Sequence, residues 1–356
     1  MVFDVLVIGD ANPDLVLRGD VHPRFGQEEQ LLDAADLVLG GSAAITATGC
    51  ARLGLRTGLL AAIGPDVFGA FTRERLEGRG VRLVLPAAPG TGSLAPTAGA
   101  PDASNMDARG STAAAPGDGT PAAAATTVSN ADARTSAAAA PGNGTPTGLS
   151  VILSAPGDRA ILTLPGTIPT LRPEDATDAL LASARHVHVA SLFLQPGLHA
   201  GLAGVFARAR ALGVTTSLDT NWDPSGRWSG LDDILAVTDV FLPNTAELLA
   251  VTGADSTEAA AEQLVAMGTT VVLKDGARGG RAWWPGGGYA TAPGLAVDVV
   301  DTTGAGDSFN AGFLAARLAG RDVPESLAWA ARAGSLSTRA AGGTAAQATP
   351  EELGAS

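Results

Sequence analysis

Asp301-Thr302-Thr303-Gly304-Ala305-Gly306-Asp307-Ser308-Phe309-Asn310-Ala311-Gly312 stands out first in this chain. An apolar run at residues 295–300 precedes it and predicts a strand. A second apolar run, at 313–318, follows it and predicts a helix. A small-residue turn between strand and helix aims several backbone N–H groups at one point. The helix N-terminus adds partial positive charge there. Such a turn holds phosphate oxygens. Asp307 is out of place in a pure anion site, because its carboxylate repels phosphate. The task that suits it is taking a proton from an attacking hydroxyl.

Working outward, residues 5–8 are a short continuous apolar run, as in a strand buried on both faces. Gly9-Asp10-Ala11-Asn12-Pro13-Asp14 ends it. Polar residues at the C-terminal end of a buried strand sit where open α/β sheets bind ligands. An ordinary Asn/Asp/Pro turn is the simpler alternative. Residues 37–39 are again strand-like, followed by Gly40-Gly41. Ser42 is placed to N-cap a helix over 43–53, with Gly54 as its stop. The glycine pair lets a ligand approach the backbone closely, although a plain helix-entry turn reads the same way. A strand at 59–63 and a helix at 70–79 come next.

From residue 173 onward helix and strand alternate. Helix is expected at 173–184, 196–212, 245–251 and 257–267. Strand is expected at 186–189, 215–218, 237–242 and 270–273. That order implies a parallel sheet with helices on both faces. His186 and His188 alternate on one strand face. A metal pair would need a third ligand, and none is near in sequence, so structural histidines are the expectation.

Between about residues 86 and 146 the chain turns to Ala, Pro, Gly, Thr and Ser. Ser104-Asn105-Met106-Asp107-Ala108-Arg109 recurs as Ser129-Asn130-Ala131-Asp132-Ala133-Arg134. Each copy runs on to a Pro-Gly-x-Gly-Thr-Pro ending. The unit has no hydrophobic face to stack and cannot offset the entropy of ordering, so it predicts a disordered insertion. Without it, residues 81–85 would meet 149–153, and Gly157-Asp158 would turn the chain into 159–164. These hairpins read as a small β-sheet appended to the main body.

The formal net charge is −13 with no basic run, which argues against nucleic acid or an anionic membrane as partner. No apolar run is long enough to span a bilayer. Residues 1–9 go straight into a strand and lack a basic n-region and a small-residue cleavage site, so the cytoplasm is the expected compartment. Cys50 is the single cysteine, which excludes an internal disulfide and reads as a small core residue.

The 301–312 motif, the Gly40-Gly41 helix entry and the order of elements together resemble the PfkB, or ribokinase-like, family of carbohydrate kinases. The resemblance covers nearly the whole chain apart from the insertion. It implies an α/β fold: a central, mostly parallel sheet with helices on both faces, plus a small β-sheet lid. The chain would be a single kinase domain over 1–356. Its lid would come from about 14–41 and 81–85 with 149–168, and its nucleotide-binding part from 173–356. It also implies ATP and Mg2+, a small sugar as substrate, and K+ in some members.

Carried over by that resemblance, Asp307 is the catalytic base, and the amides of Gly304, Ala305 and Gly306 form an anion hole. Asn12, Asp14, Gly40 and Gly41, with Ser42 beside them, hold sugar hydroxyls. Asn244 and Glu247 match an Asn-x-x-Glu element that positions magnesium and phosphates, partly through water. Lys274, Gly276 and Gly279 border the nucleotide. Asp301 matches a position near a monovalent-cation site. Two positions depart from the pattern. Ile45 replaces an asparagine that contacts the sugar, and Ala330 stands where Asn or His faces the adenine.

The chemistry fits these residues. Phosphoryl transfer needs positioning and charge stabilisation more than covalent help. No P-loop lysine motif occurs, which excludes a Walker-type site. The leading expectation is an ATP-dependent kinase acting on a primary hydroxyl of a small sugar. A nucleoside kinase of the same fold and a non-catalytic sugar- or nucleotide-binding regulator are the alternatives. An unpaired edge of the lid sheet would favour a homodimer.

Overall fold

The computed structural model describes residues 2–86, 144–155 and 158–354. The insertion expected at 86–146 lies almost wholly outside them. So does Gly157 of the expected hairpin turn.

The apolar runs of the sequence become β1 (Phe3–Ile8), β4 (Thr57–Leu60), β5 (Val81–Val84), β8 (Ala184–Ala190), β9 (Thr215–Asp219), β10 (Val240–Phe241) and β11 (Thr270–Lys274). These strands pair in parallel. β12 (Gly280–Trp284) and β13 (Gly288–Ala292) add an antiparallel edge. The result is a 9-stranded sheet in the order β13-β12-β11-β10-β9-β8-β1-β4-β5. A parallel sheet must bury both faces, which is why its strands read as continuous apolar runs rather than alternating ones.

Helices cover each face. On one side, Leu6 and Ile8 pack with α3 (Asp178–Ala182), α4 (Pro196–His199), α5 (Leu202–Ala211), α6 (Asp232–Leu235), α7 (Thr245–Thr252) and α8 (Thr257–Ala266). On the other, Val5 and Val7 pack with α1 (Ser42–Arg52), α2 (Val67–Glu77), α9 (Ala305–Leu318) and α10 (Val323–Ser337). Cys50 is buried on α1 within this second core, and burial pushes its thiol up to about 12. His186 and His188 are structural: the imidazoles of both bond the Ser217 hydroxyl at 2.7 Å.

A separate 4-stranded sheet, β3-β2-β6-β7, is built from β2 (Asn12–Gly19), β3 (Leu32–Gly40), β6 (Leu149–Ala155) and β7 (Asp158–Leu164). Residues 81–85, expected in this small sheet, are not in it. β4, α2 and β5 form a crossover unit, and the helix returns the chain to pair in parallel beside β4. Residues 295–300 form no strand either, although their apolar character predicts one. They run along a cavity wall instead.

Candidate active site

Two cavities meet at the N-terminus of α9. The smaller, of about 370 Å³, lies between the small sheet and the C-terminal ends of the parallel strands. Its polar wall includes Asp10, Asn12, Asp14, Ser42, Arg159 and Asp307. The β2–β3 pairing sets Asn12 opposite Gly40. Gly40 must be glycine, because a Cβ there would lie 2.0 Å from the Asp14 carboxylate. Asn12 donates to Asp14 Oδ1 at 3.1 Å and reaches the Ser150 hydroxyl at 3.4 Å. Burial, and then the charge of Asp10, push Asp14 up to about 7.

Ser42 is not the helix cap that its position suggests. Gly41, at φ +85°, holds the N-cap position, and no side chain caps it. Asp10 does that work from β1's end by accepting from the Ser42 amide at 3.2 Å and the Ala43 amide at 3.0 Å. The Ser42 hydroxyl is thereby left to donate to Asp307 Oδ1. Asp307 is buried in the first turn of α9. Burial first, and then the Asp219 charge, push its carboxyl up to about 7.

The larger cavity, of about 520 Å³, lies on the other side of the same turn. Lys274, Gly276, Gly279, Ala305 and Gly306 line it, and the apolar residues Leu295, Val297 and Val299 form a wall. That wall explains an apolar run which pairs with no strand. Ala330 does not face this cavity. It is fully buried in the core against Gly312, whereas Ala331, Gly334, Ser335 and Thr338 present the lining face of α10. Residues 331, 334, 335 and 338 share one face of α10, and 330 lies at its edge, where Gly312 packs over it.

The turn itself is only partly open to an anion. Gly304 is left-handed (φ +71°), and a Cβ on it would lie 2.6 Å from Gly343 Cα and 3.0 Å from Ile45 Cγ2. Ile45 therefore props the turn from below while it also borders the smaller cavity. The Ala305 amide already donates to Thr302 O at 3.2 Å, so it is not one of the open donors expected. First-turn amides after it have no intrahelical acceptor, which leaves Gly306 and Asp307, with the N-cap residue Gly304, as donors to a ligand. Gly306 is a different kind of glycine from Gly304. A Cβ on it would meet nothing closer than 3.5 Å, at Lys274 Cδ. The Gly306→Ala variant should thus melt at or above the wild-type temperature. Its turnover should fall roughly 10–100-fold, because the new methyl crowds the transferring group. Calorimetry beside a rate assay checks this, and unchanged turnover would refute an anion hole at this residue.

Behind the turn lies a buried charge network. Lys274 Nζ pairs with Asp219 Oδ2 at 2.5 Å, and Asn310 Nδ2 donates to the same oxygen at 2.6 Å. Burial works to raise Asp219, but Lys274 and Asn310 outweigh it and hold the carboxyl below the usual range. Burial likewise works to lower Lys274, and Asp219 and Glu247 overcome it and keep the ammonium charged.

Asn244 and Glu247 sit close by but face each other. Each side chain accepts from the other's amide, at 2.8 and 2.9 Å, in a capping box that starts α7. Glu247 thus keeps Oε1 without a donor among the described residues, and burial raises its carboxyl. Asp301 is a loop staple: Oδ1 accepts from the Thr303 amide and hydroxyl, and Oδ2 from the Gly342 amide, all at 2.8 Å. Oδ1 thus has two donors and Oδ2 one.

Three residues central to the geometry have no role in the sequence reading. Asp10 lies in the turn noted after β1. Asp219 ends a parallel strand at its C-terminal edge, where ligand sites collect. Asn310 is inside the motif, three residues after Asp307 and on the same helix side.

The sequence pattern of the pfkB family carbohydrate kinases matches residues 2–89 and 137–350. This chain belongs to that family. The gap in the match falls within the Ala- and Pro-rich stretch. The kinase is 28% identical over 341 residues to the ATP-dependent ribose-1-phosphate kinase of Halopiger xanaduensis, covering 93% of this chain and 90% of that one. It is 28% identical over 336 residues to a fructokinase of Klebsiella pneumoniae, covering 91% and 87%. Its fold matches that of Arabidopsis thaliana ribokinase at a TM-score of 0.72 with 21% identity, over 99% of this chain and 98% of that one. The kinase is thus a ribokinase-like phosphotransferase with an alcohol acceptor. No helix among the described residues is long and apolar enough to cross a membrane.

Proposed function

We propose that this sugar kinase transfers the γ-phosphoryl group of ATP to a primary hydroxyl of a small sugar, with Asp307 as general base. The observation that carries this is the position of α9's first turn. Gly304 and Asp307 border the smaller cavity, while Ala305 and Gly306 border the larger. A hydroxyl bound among Asp10, Asn12 and Asp14 would face a phosphate bound on the other side. Asp307 would accept the hydroxyl proton as its oxygen attacks. The Gly306 and Asp307 amides and the Lys274 ammonium would meet the charge on the transferring oxygens.

Magnesium, when bound, would neutralise phosphate charge. The residues present fit a loosely held ion. Among the described residues no group of three His, Cys, Asp or Glu could hold a metal. Glu247 Oε1 would reach it through water, and phosphates and further waters would supply its remaining oxygens.

An ADP-release assay with ribose, fructose and ribose 1-phosphate tests the reading. Sugar-dependent ADP formation, abolished in Asp307→Asn, is the expected result. A folded sample that turns over neither these sugars nor any larger acceptor carrying a sugar hydroxyl would sink it.

A further inference from the structure

The smaller cavity, at about 370 Å³, holds roughly a dozen water-sized groups, about one sugar ring. Anything attached to that ring must emerge at the rim, and the rim carries an exposed indole. Trp222 borders the cavity and is 61% exposed. Leu194, Pro224 and, from β7, Ile161 also line the cavity.

This platform is constructed rather than incidental. The Trp222 ring packs edge-on against Trp228, with centroids 5.2 Å apart. Trp228 packs in the same way on Phe193 at 5.4 Å. Trp228 holds a left-handed backbone (φ +51°), a conformation a bulky residue avoids. Asp223 enforces it. Its buried carboxylate accepts from the Ser225 amide and hydroxyl and from the Arg227 and Trp228 amides, at 2.7–2.9 Å. Asn221 and Ser191, which border the cavity beside Trp222, are left-handed too, at φ +54° each. The Asn221 side chain accepts from the Ser191 amide at 2.9 Å. Strain persists only where the surroundings over-determine it, and it gathers at ligand sites. Here it gathers behind one exposed aromatic face.

We propose that the acceptor is a glycoside whose aglycone is a flat ring, the nucleoside class, and that this ring stacks on Trp222. The inference rests on the sugar-kinase reading of the same site. The sugar ring would fill the carboxyl-lined cavity, and the base would lie on the indole. Stacking on an aromatic face tolerates any base, so it selects a class rather than one compound.

The test compares ribose and fructose with inosine and uridine, and with sucrose as a bearer of a second, non-aromatic ring. In the wild-type kinase, kcat/KM should favour inosine or uridine over the bare sugars. Trp222→Ala should lower kcat/KM for the favoured nucleoside roughly 10-fold more than for ribose, mainly through KM. Trp222→Phe should restore most of the difference. Titration calorimetry with inosine in the absence of ATP should show the same order. Trp222 is exposed, so the variants should fold. Equal use of bare sugars and nucleosides, or an equal effect of Trp222→Ala on both, overturns the inference and leaves the kinase reading standing. A preference for sucrose replaces the flat ring with a second sugar and also overturns it. A chain that phosphorylates none of the probes overturns the sugar-kinase reading and this inference with it.

Discussion

Asp307→Asn should lower kcat roughly 10²–10⁴-fold, the usual contribution of a positioned general base. It should also raise the melting temperature above neutral pH. The two effects have one cause. Burial, and then the Asp219 charge, lift the native carboxyl to about 7, so the ionised form needed for catalysis is disfavoured in the fold. An unfolded chain releases this proton near pH 4. Between about pH 4 and 7 the native state therefore binds more protons than the unfolded one, and stability falls as pH rises through that window. Asparagine keeps the shape without the charge, and its gain at pH 8 should be about 1–3 kcal/mol, a few degrees in Tm. Wild-type turnover should rise with pH through about 7 as Asp307 ionises. A rate profile flat from pH 5.5 to 8.5, or a variant with wild-type turnover, would remove Asp307 from the role of base.

The second prediction concerns the pair beneath it. Lys274→Met should destabilise the fold by about 3–5 kcal/mol, because it leaves Asp219 buried without its cation. Asp219→Asn should be milder, since Glu247 and Asp307 still face the ammonium. The two variants should move the acid limb of the rate profile in opposite directions. The groups that act on Asp307 are Asp219 from β9, Lys274 from β11, Asp10 after β1 and the Ser42 hydroxyl on α1. Glu247 on α7 and His188 on β8 face the pair itself, and burial leaves His188 neutral, its pKa at about 4. The Asp219 charge raises Asp307, so Asp219→Asn should shift the limb to lower pH. The Lys274 charge lowers Asp307, so Lys274→Met should shift it to higher pH. Shifts of the same sign would show that the pair does not act on Asp307 through charge. Chemical denaturation and the two pH profiles supply both readouts.

Much of the kinase was legible along the chain. Continuous apolar runs mark strands buried on both faces, and their alternation with helical segments fixes a parallel sheet before any coordinate is known. The 301–312 motif names the turn and its carboxylate. Misreadings fall where a local pattern has two physical outcomes. An apolar run at 295–300 can pair in a sheet or wall a cavity, and it does the latter. Residues 81–85 can join a hairpin or a crossover, and α2 decides for the crossover. Ser42 stands at a helix start, but Asp10 already supplies the cap, so the serine serves Asp307 instead.

The sequence by itself determined which residue types bear the chemistry and which elements carry them, because backbone propensity and burial periodicity are local. Only the tertiary structure decided which of those residues meet. Asn12 faces Gly40 across two strands, Asp219 meets Lys274 and Asn310 from three elements, and Trp222 reaches the rim through a loop held by Asp223. Charge pairing and desolvation act through space at a few ångströms, and separation along the chain does not encode that distance.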